Sequence, residues 1–328
     1  MVKLSSEFNE LKRLSAKVGC DLTLTQGAGG NTSLKQDGVL WVKASGKWLS
    51  NAEEEQMFLP VDLLGARSEA GTATPLIDTP LRASIETSFH ALLPQRVVVH
   101  VHSVNTLAWA VQRDGEQKLF ALLAGLRWTW IPYIRPGLPL TKLMRQRLAE
   151  NPEVWVLANH GLIVAADTVA EAEALLYEVE RRLAIVPDHL PSDEAALAPY
   201  CRDGQWKLPK HAVAHQAALT DDRVRRAAQG SMYPDQTVFI GPACATISSG
   251  LTRYSEQWRM DAKALLVPGA GLLIAADASA GAEEMVACLG LVLQRLQHSS
   301  DVVFLDHEEV YGLMNWDAEK YRQGLTRN

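Results

Sequence analysis

Residues Gly27 to Gly46 read "GAGGNTSLKQDGVLWVKASG", and five of these twenty positions are glycine. A glycine-rich turn followed by Asn-Thr-Ser suits an anion, so the first question is whether a nucleotide loop is present. A dinucleotide loop follows a strand and opens a helix, whose N-terminus meets the pyrophosphate. Here "NTSLK" alternates, "QDG" is a turn signal and "VLWVK" alternates again. That pattern predicts a β-hairpin turning at Asp37-Gly38. The Walker pattern also fails, because no Gly-Lys-Ser/Thr follows. A glycine turn at a hairpin still presents consecutive backbone N–H groups to a single phosphate or carboxylate. "KASG", Lys43 to Gly46, closes the same hairpin. Its Ser45 hydroxyl and Gly46 N–H lie near the hairpin's start if the strands pair. Two ordinary turns would give the same residues.

Outward from the hairpin, strands and helices alternate closely to about residue 185. "RVVVHVHS" (96–103) is strand-like. "TPLRASIETSFHALLP" (79–94) reads as a helix, with Thr79 as N-cap, Pro80 at the first position and Pro94 at the end. "EVWVLANHGLIVAAD" reads as two short strands meeting at Asn159-His160-Gly161. A helix follows, opened by the capping box Thr168 and Glu171. The N-terminal stretch has Leu4, Phe8, Leu11, Leu14 and Val18 at helical spacing, with Gly19 placed to stop the helix. It is an amphipathic helix rather than a signal peptide. Residues 186–211 are rich in proline and acid and read as a linker.

Beyond the linker, "AGLLIAADASAGAEEM" from Ala270 echoes "HGLIVAADTVAEAEAL" from His160 at an offset of 110 residues. Duplication and coincidence in alanine-rich sequence both explain the echo. In either case Ala270 stands where the first copy has His160.

The composition is that of an ordinary globular chain: 328 residues, 47% hydrophobic, 21% charged, net charge −6. The acidic balance argues against a nucleic-acid partner. No run of eighteen apolar residues predicts a membrane span. Four cysteines without CxxC spacing (Cys20, Cys201, Cys244, Cys288) fit a reduced, cytoplasmic protein.

The chemistry concentrates in three histidines and one carboxylate. His100 and His102 are two residues apart on a strand and so point to one face. Two imidazoles on one face can share a metal, and a catalytic zinc keeps three protein ligands and one open position. His160, at a sharp strand junction beside Gly161, is the best third ligand. His90, four residues after Glu86 on the expected helix, reads as a hydrogen-bonded or core histidine. An acid near the metal without being a permanent ligand suits a general base, and Glu86 is placed for it.

Taken in order, "GGNTSLK", "VKASG", "ASIETSFHALLP", "VVVHVHS" and "ANHGLIV" resemble the class II aldolase/adducin family over residues 1–190. Within it they are most similar to the aldolase part of two-part rhamnulose-phosphate aldolase/dehydrogenase proteins. The resemblance implies a three-layer α/β/α fold with a mostly antiparallel central sheet. Residues 191–328 then form a smaller C-terminal α/β module, a degenerate partial repeat without metal ligands being one reading of it. It implies Zn2+, or another divalent metal, on His100, His102 and His160, and Glu86 as catalytic acid/base. Gly30, Asn31, Ser45, Gly46 and Ser84 match the positions that hold substrate phosphate. Some members have two adjacent serines before the glutamate, whereas here Ile85 follows Ser84.

The implied activity is aldol cleavage of a ketose 1-phosphate through an enediolate. Decarboxylation or 4-epimerisation of a sugar or sugar-acid phosphate is the alternative on the same ligands, and an adducin-like scaffold is the alternative without chemistry. A homo-oligomer is implied, with a proton-donor tyrosine from a neighbouring subunit that the sequence does not place. A separate dehydrogenase is a further partner to test.

Overall fold

The computed structural model describes residues 5–247, 254–255 and 260–325. The chain divides into two compact units, Met1–Ala110 with Gly115–Ala184, and Val111–Asp114 with Ile185–Asn328.

The first unit opens with α1 (Ser6–Cys20), capped by Ser5. The glycine-rich hairpin follows as β1 (Asn31–Gln36) and β2 (Val39–Lys43), paired Gln36 to Val39. Asp37 and Gly38 both take positive φ, 52° and 78°, as a two-residue hairpin turn requires. Next come β3 (Phe58–Asp62), α2 (Leu63–Arg67), α3 (Thr87–Leu92), β4 (Val97–Val101), α4 (Val104–Ala110) and α5 (Gly115–Leu122). The unit ends with β5 (Trp128–Ile131), α6 (Leu138–Arg145), β6 (Val154–Leu157), β7 (Gly161–Ala166) and α7 (Val169–Leu183).

The sheet runs β3-β2-β1-β4-β7-β6-β5. Its pairs are antiparallel except β5 with β6. Alternation along β4 and β7 builds two cores. Val97, Val99, Val101, Leu162 and Val164 face α1 and α7, whose Leu11, Leu14, Leu176 and Val179 are buried against them. Val98, Ile163 and Ala165 face the opposite layer, with Phe89 and Leu92 of α3 and Met144 of α6. Three layers with a mostly antiparallel centre result.

Two local expectations are corrected. The helix read from Thr79 starts only at Thr87, with Glu86 at its N-cap position. Residues 82–84 are instead extended: Ser45 N–H donates to Arg82 O and Ser84 N–H to Lys43 O, around an Ala44–Ala83 bridge. Sheet hydrogen bonds here outcompete the local helix signal. Gly19 does not end α1 but lies inside it, and glycine stands there for close packing: a Cβ would fall 2.1 Å from Ser50 N.

The second unit contains α8 (Glu194–Leu197), β8 (Trp206–Lys207), α9 (Asp221–Gln229), α10 (Pro234–Ile240), β9 (Ala245–Thr246), β10 (Tyr254–Ser255) and β11 (Met260–Asp261). It continues with β12 (Ala264–Val267), β13 (Gly271–Ala275), α11 (Ala280–Leu293), α12 (His307–Met314) and α13 (Asp317–Leu325). A four-stranded sheet runs β8-β13-β12-β9. The stretch read as a linker is packed: Leu197 and Trp206 are buried with Leu265, Val267 and Leu273. No helix among the described residues is long and apolar enough to cross a membrane.

Candidate metal centre

The centre is built where β1, β4, the β6–β7 turn and the start of α3 meet. His100 lies on β4 and His102 just past it, both buried. They share the face of Val98, which is the α3 side, and Phe89 meets the His100 ring edge-on at 5.6 Å. His160 sits in the tight turn between β6 and β7, where Leu157 pairs with Gly161 and Asn159 takes φ 53°. Gly161, at φ 158°, has no room for a side chain. A Cβ would fall 2.5 Å from Val101 O and 3.3 Å from His102 Cα.

The three rings converge, with centroids 4.9–5.4 Å apart. Their available ligand atoms all lie within 4.8 Å of one another. His100 Nδ1 is 3.0 Å from Leu162 O, so Nδ1 carries the hydrogen and Nε2 presents its lone pair inward. His100 Nε2 and His102 Nε2 are 3.2 Å apart. Two nitrogens held about 2.0–2.1 Å from one tetrahedral ion stand about 3.3 Å apart, so the spacing suits such an ion.

Glu86 completes the arrangement. Its Oε2 is 3.5 Å from His100 Nε2 and its Oε1 is 3.4 Å from His160 Nε2. Oε1 is buried and accepts no hydrogen bond among the described residues. An orphaned carboxylate oxygen facing three imidazoles is what a cation resolves. Burial alone raises the Glu86 pKa. Positive charge on His100 and His160, the Asn31 amide and positive charge on His102 outweigh it and bring it down to about 2; with the three rings neutral as ligands, a bound cation would supply that charge and keep the group a carboxylate.

Asn31, opposite His100 across the β1–β4 pair, donates Nδ2–H to Glu86 Oε2 at 2.7 Å and to Ser84 Oγ at 3.1 Å. Ser84 Oγ also accepts the Glu86 N–H at 3.2 Å, which leaves its own hydrogen to donate. Gly30, at φ 62°, packs against His100 O, where a Cβ would sit at 2.8 Å. Ser45 and Gly46, the latter at φ 77°, follow directly on the Ala44–Ala83 bridge. Contacts thus link Glu86, His100, His102, His160, Asn31 and Ser84, while Gly30, Ser45 and Gly46 adjoin them along the backbone.

Three residues here were not singled out from the sequence as site residues. Lys43 is buried, and its Nζ donates to Ala28 O and Lys47 O, both at 2.8 Å, tying the glycine turn to the "KASG" turn. Its signal was weak: a lysine ending an alternating strand is ordinarily exposed. Ser33 and His90 are bonded to each other at 2.7 Å. Their signals were spacing, Ser33 two residues after Asn31 on a strand and His90 four after Glu86.

A model of the class II aldolase and adducin N-terminal domain matches residues 9–186, more than half of the chain. The chain belongs to the class II aldolase and adducin family. An uncharacterised oxidoreductase of Bacillus subtilis (strain 168), YuxG, is 30% identical over 189 residues. The match covers 51% of this chain and 27% of YuxG, so this chain spans about a quarter of that relative. Among solved structures, the N-terminal class II aldolase domain of a conserved Thermoplasma acidophilum protein is 25% identical. It covers 56% of this chain and 94% of that one, with a TM-score of 0.49. L-fuculose-1-phosphate aldolase from Thermus thermophilus is 19% identical over 60% of this chain and 97% of that one, TM-score 0.37. In this class II aldolase-family chain, the matched segment contains every residue of the centre described above.

Proposed function

We propose that the protein is a metal-dependent aldolase that cleaves a ketose 1-phosphate reversibly. The observation that carries this reading is the meeting of three buried imidazoles with one unsatisfied carboxylate oxygen. His100, His102 and His160 would hold the metal, and an all-histidine set suits zinc. When bound, the metal supplies Lewis-acid stabilisation of negative charge on the substrate's carbonyl and neighbouring hydroxyl oxygens, worth several kcal/mol.

The chain's own residues do the rest. Glu86, ionised, takes the proton from the carbon alpha to the carbonyl during condensation and returns it during cleavage. The Ser84 hydroxyl and the turns at Gly30 and Ser45-Gly46 hold the phosphate. Remote binding is thereby converted into orientation of the reacting carbon. A dehydrogenase that consumes the released aldehyde is the proposed partner, suggested by the name of YuxG, and co-purification tests it.

The decisive assay combines metal content with cleavage of a panel of ketose 1-phosphates. Wild type should bind about one metal and cleave at least one sugar, and His102→Ala should lose both. Full activity in His102→Ala contradicts the reading. Turnover confined to oxo-acid phosphates, with release of carbon dioxide, would replace it with decarboxylation.

A further inference from the structure

Behind Glu86 lies a buried chain of polar groups that the proposed reaction does not touch. Asn31 Nδ2 donates to Glu86 Oε2, and the carboxylate settles which way this amide faces. The reverse orientation would press Oδ1 against a carboxylate oxygen at 2.7 Å. Asn31 Oδ1 is therefore turned toward His90 Nε2, with which it is in close contact. An amide oxygen only accepts, so His90 Nε2 carries a hydrogen.

His90 is fully buried, its ring stacked on Phe89 at 4.6 Å. Burial drives its pKa well below the ordinary value, so the ring is neutral. A neutral ring protonated on Nε2 has a lone pair on Nδ1. Ser33 Oγ, 2.7 Å away, must then be the donor. The hydrogen bonds thus run one way, from Ser33 to His90 to Asn31 to the carboxylate.

Resting on the reading of Glu86 as acid/base, we propose that Ser33, His90 and Asn31 are positioning residues. They fasten Oε2 and present Oε1 as the oxygen that exchanges the proton with substrate. Oε1 lies 3.4 Å from His160 Nε2 and accepts no hydrogen bond among the described residues, so no protein donor competes there with the substrate's proton. The tautomer of His90 is the control point. A hydrogen on Nδ1 instead would put two lone pairs together at Asn31 Oδ1, turn the amide over and set its oxygen against Glu86.

The experiment has two arms. In metal-free wild type, 15N NMR of histidine should show His90 protonated on Nε2 and bare on Nδ1. The opposite tautomer, or a rapidly exchanging mixture, overturns the relay. This arm needs neither a variant nor a substrate, so it decides the relay even if no ketose phosphate is cleaved and the aldolase reading fails.

In the second arm, His90→Asn removes the Nε2 donor, whereas His90→Gln keeps one near that place. With metal content unchanged, His90→Asn should lose about 100-fold in kcat with KM within about twofold, the scale of a small misplacement of a catalytic group. His90→Gln should recover to within about tenfold of wild type. Equal kcat in wild type and His90→Asn, or no recovery in His90→Gln, overturns the proposal.

Discussion

At the scale of single residues, the proposed function separates groups that would face the substrate from groups that hold them. Glu86→Gln keeps the shape of the carboxylate and removes its basicity. It should retain metal and lose turnover by about 10²–10⁴-fold, the usual worth of general acid–base catalysis. Metal analysis beside a progress curve checks this, and undiminished turnover would exclude Glu86 as the acid/base. Lys35 gives a stability test away from the site. It is buried on β1, its Nζ donating to Gln95 O at 2.5 Å. Burial, then the nearby Arg67, lowers its pKa from 10.5 to about 7, with Asp167 opposing. The folded state therefore binds fewer protons than the unfolded state between about pH 7 and 10.5, and stability rises with pH across that window. Lys35→Met should remove that rise, and the difference between the two unfolding curves measured from pH 7 to 10 isolates it. Parallel curves would show that the Lys35 ammonium is not penalised by the fold.

At the scale of elements, glycines set the close approaches, and their reasons differ. Replacing Gly19 by Ala improves helix propensity by about 1 kcal/mol. The new Cβ meets backbone at 2.1 Å, however, and overpacking of this kind costs about 1–3 kcal/mol or more, so the clash wins. Denaturant unfolding of Gly19→Ala should show a net loss of stability; a gain would mean that α1 and residues 49–50 can part easily. Gly161→Ala acts on chemistry instead. By pushing on Val101 O and His102 it should weaken metal binding without removing a ligand, which competition with a chelator measures.

Much at this scale was legible in sequence. The Asp37-Gly38 hairpin, the Thr168–Glu171 capping box and the pairing across Asn159–Gly161 follow from local turn and cap chemistry. So does the shared face of His100 and His102, which strand period alone dictates. The start of α3 was not legible. Thr79 and Pro80 make a good local helix start, but residues 82–84 gain sheet hydrogen bonds from residues 43–45, some forty positions away in sequence. The buried Lys43 escaped for the same reason, since its carbonyl partners are brought together only by the closed hairpin.

At the scale of the whole molecule, each unit contains the same small device. β6 pairs with β7 from Val154–Val164 to Leu157–Gly161, and β12 pairs with β13 from Ala264–Ile274 to Val267–Gly271. Every one of those positions is offset by 110. The turns match too, with Gly161 and Gly271 at φ 158° and 157°. What differs is the strand alongside. β7 lies against β4 with its two histidines, whereas β13 lies against the short β8, and Ala270 stands in place of His160. Among the described residues, the three-histidine cluster occurs in the first unit alone. One metal per chain is therefore expected, and two per chain by elemental analysis would mean that the second unit has a centre of its own.

X-ray absorption at the zinc edge of the purified, metal-loaded protein tests the centre most directly. Three imidazole nitrogens at about 2.0–2.1 Å are expected, reduced to two or to no retained metal in His102→Ala. A sulfur shell, or a spectrum unchanged by His102→Ala, would contradict the convergence of His100, His102 and His160 on one ion.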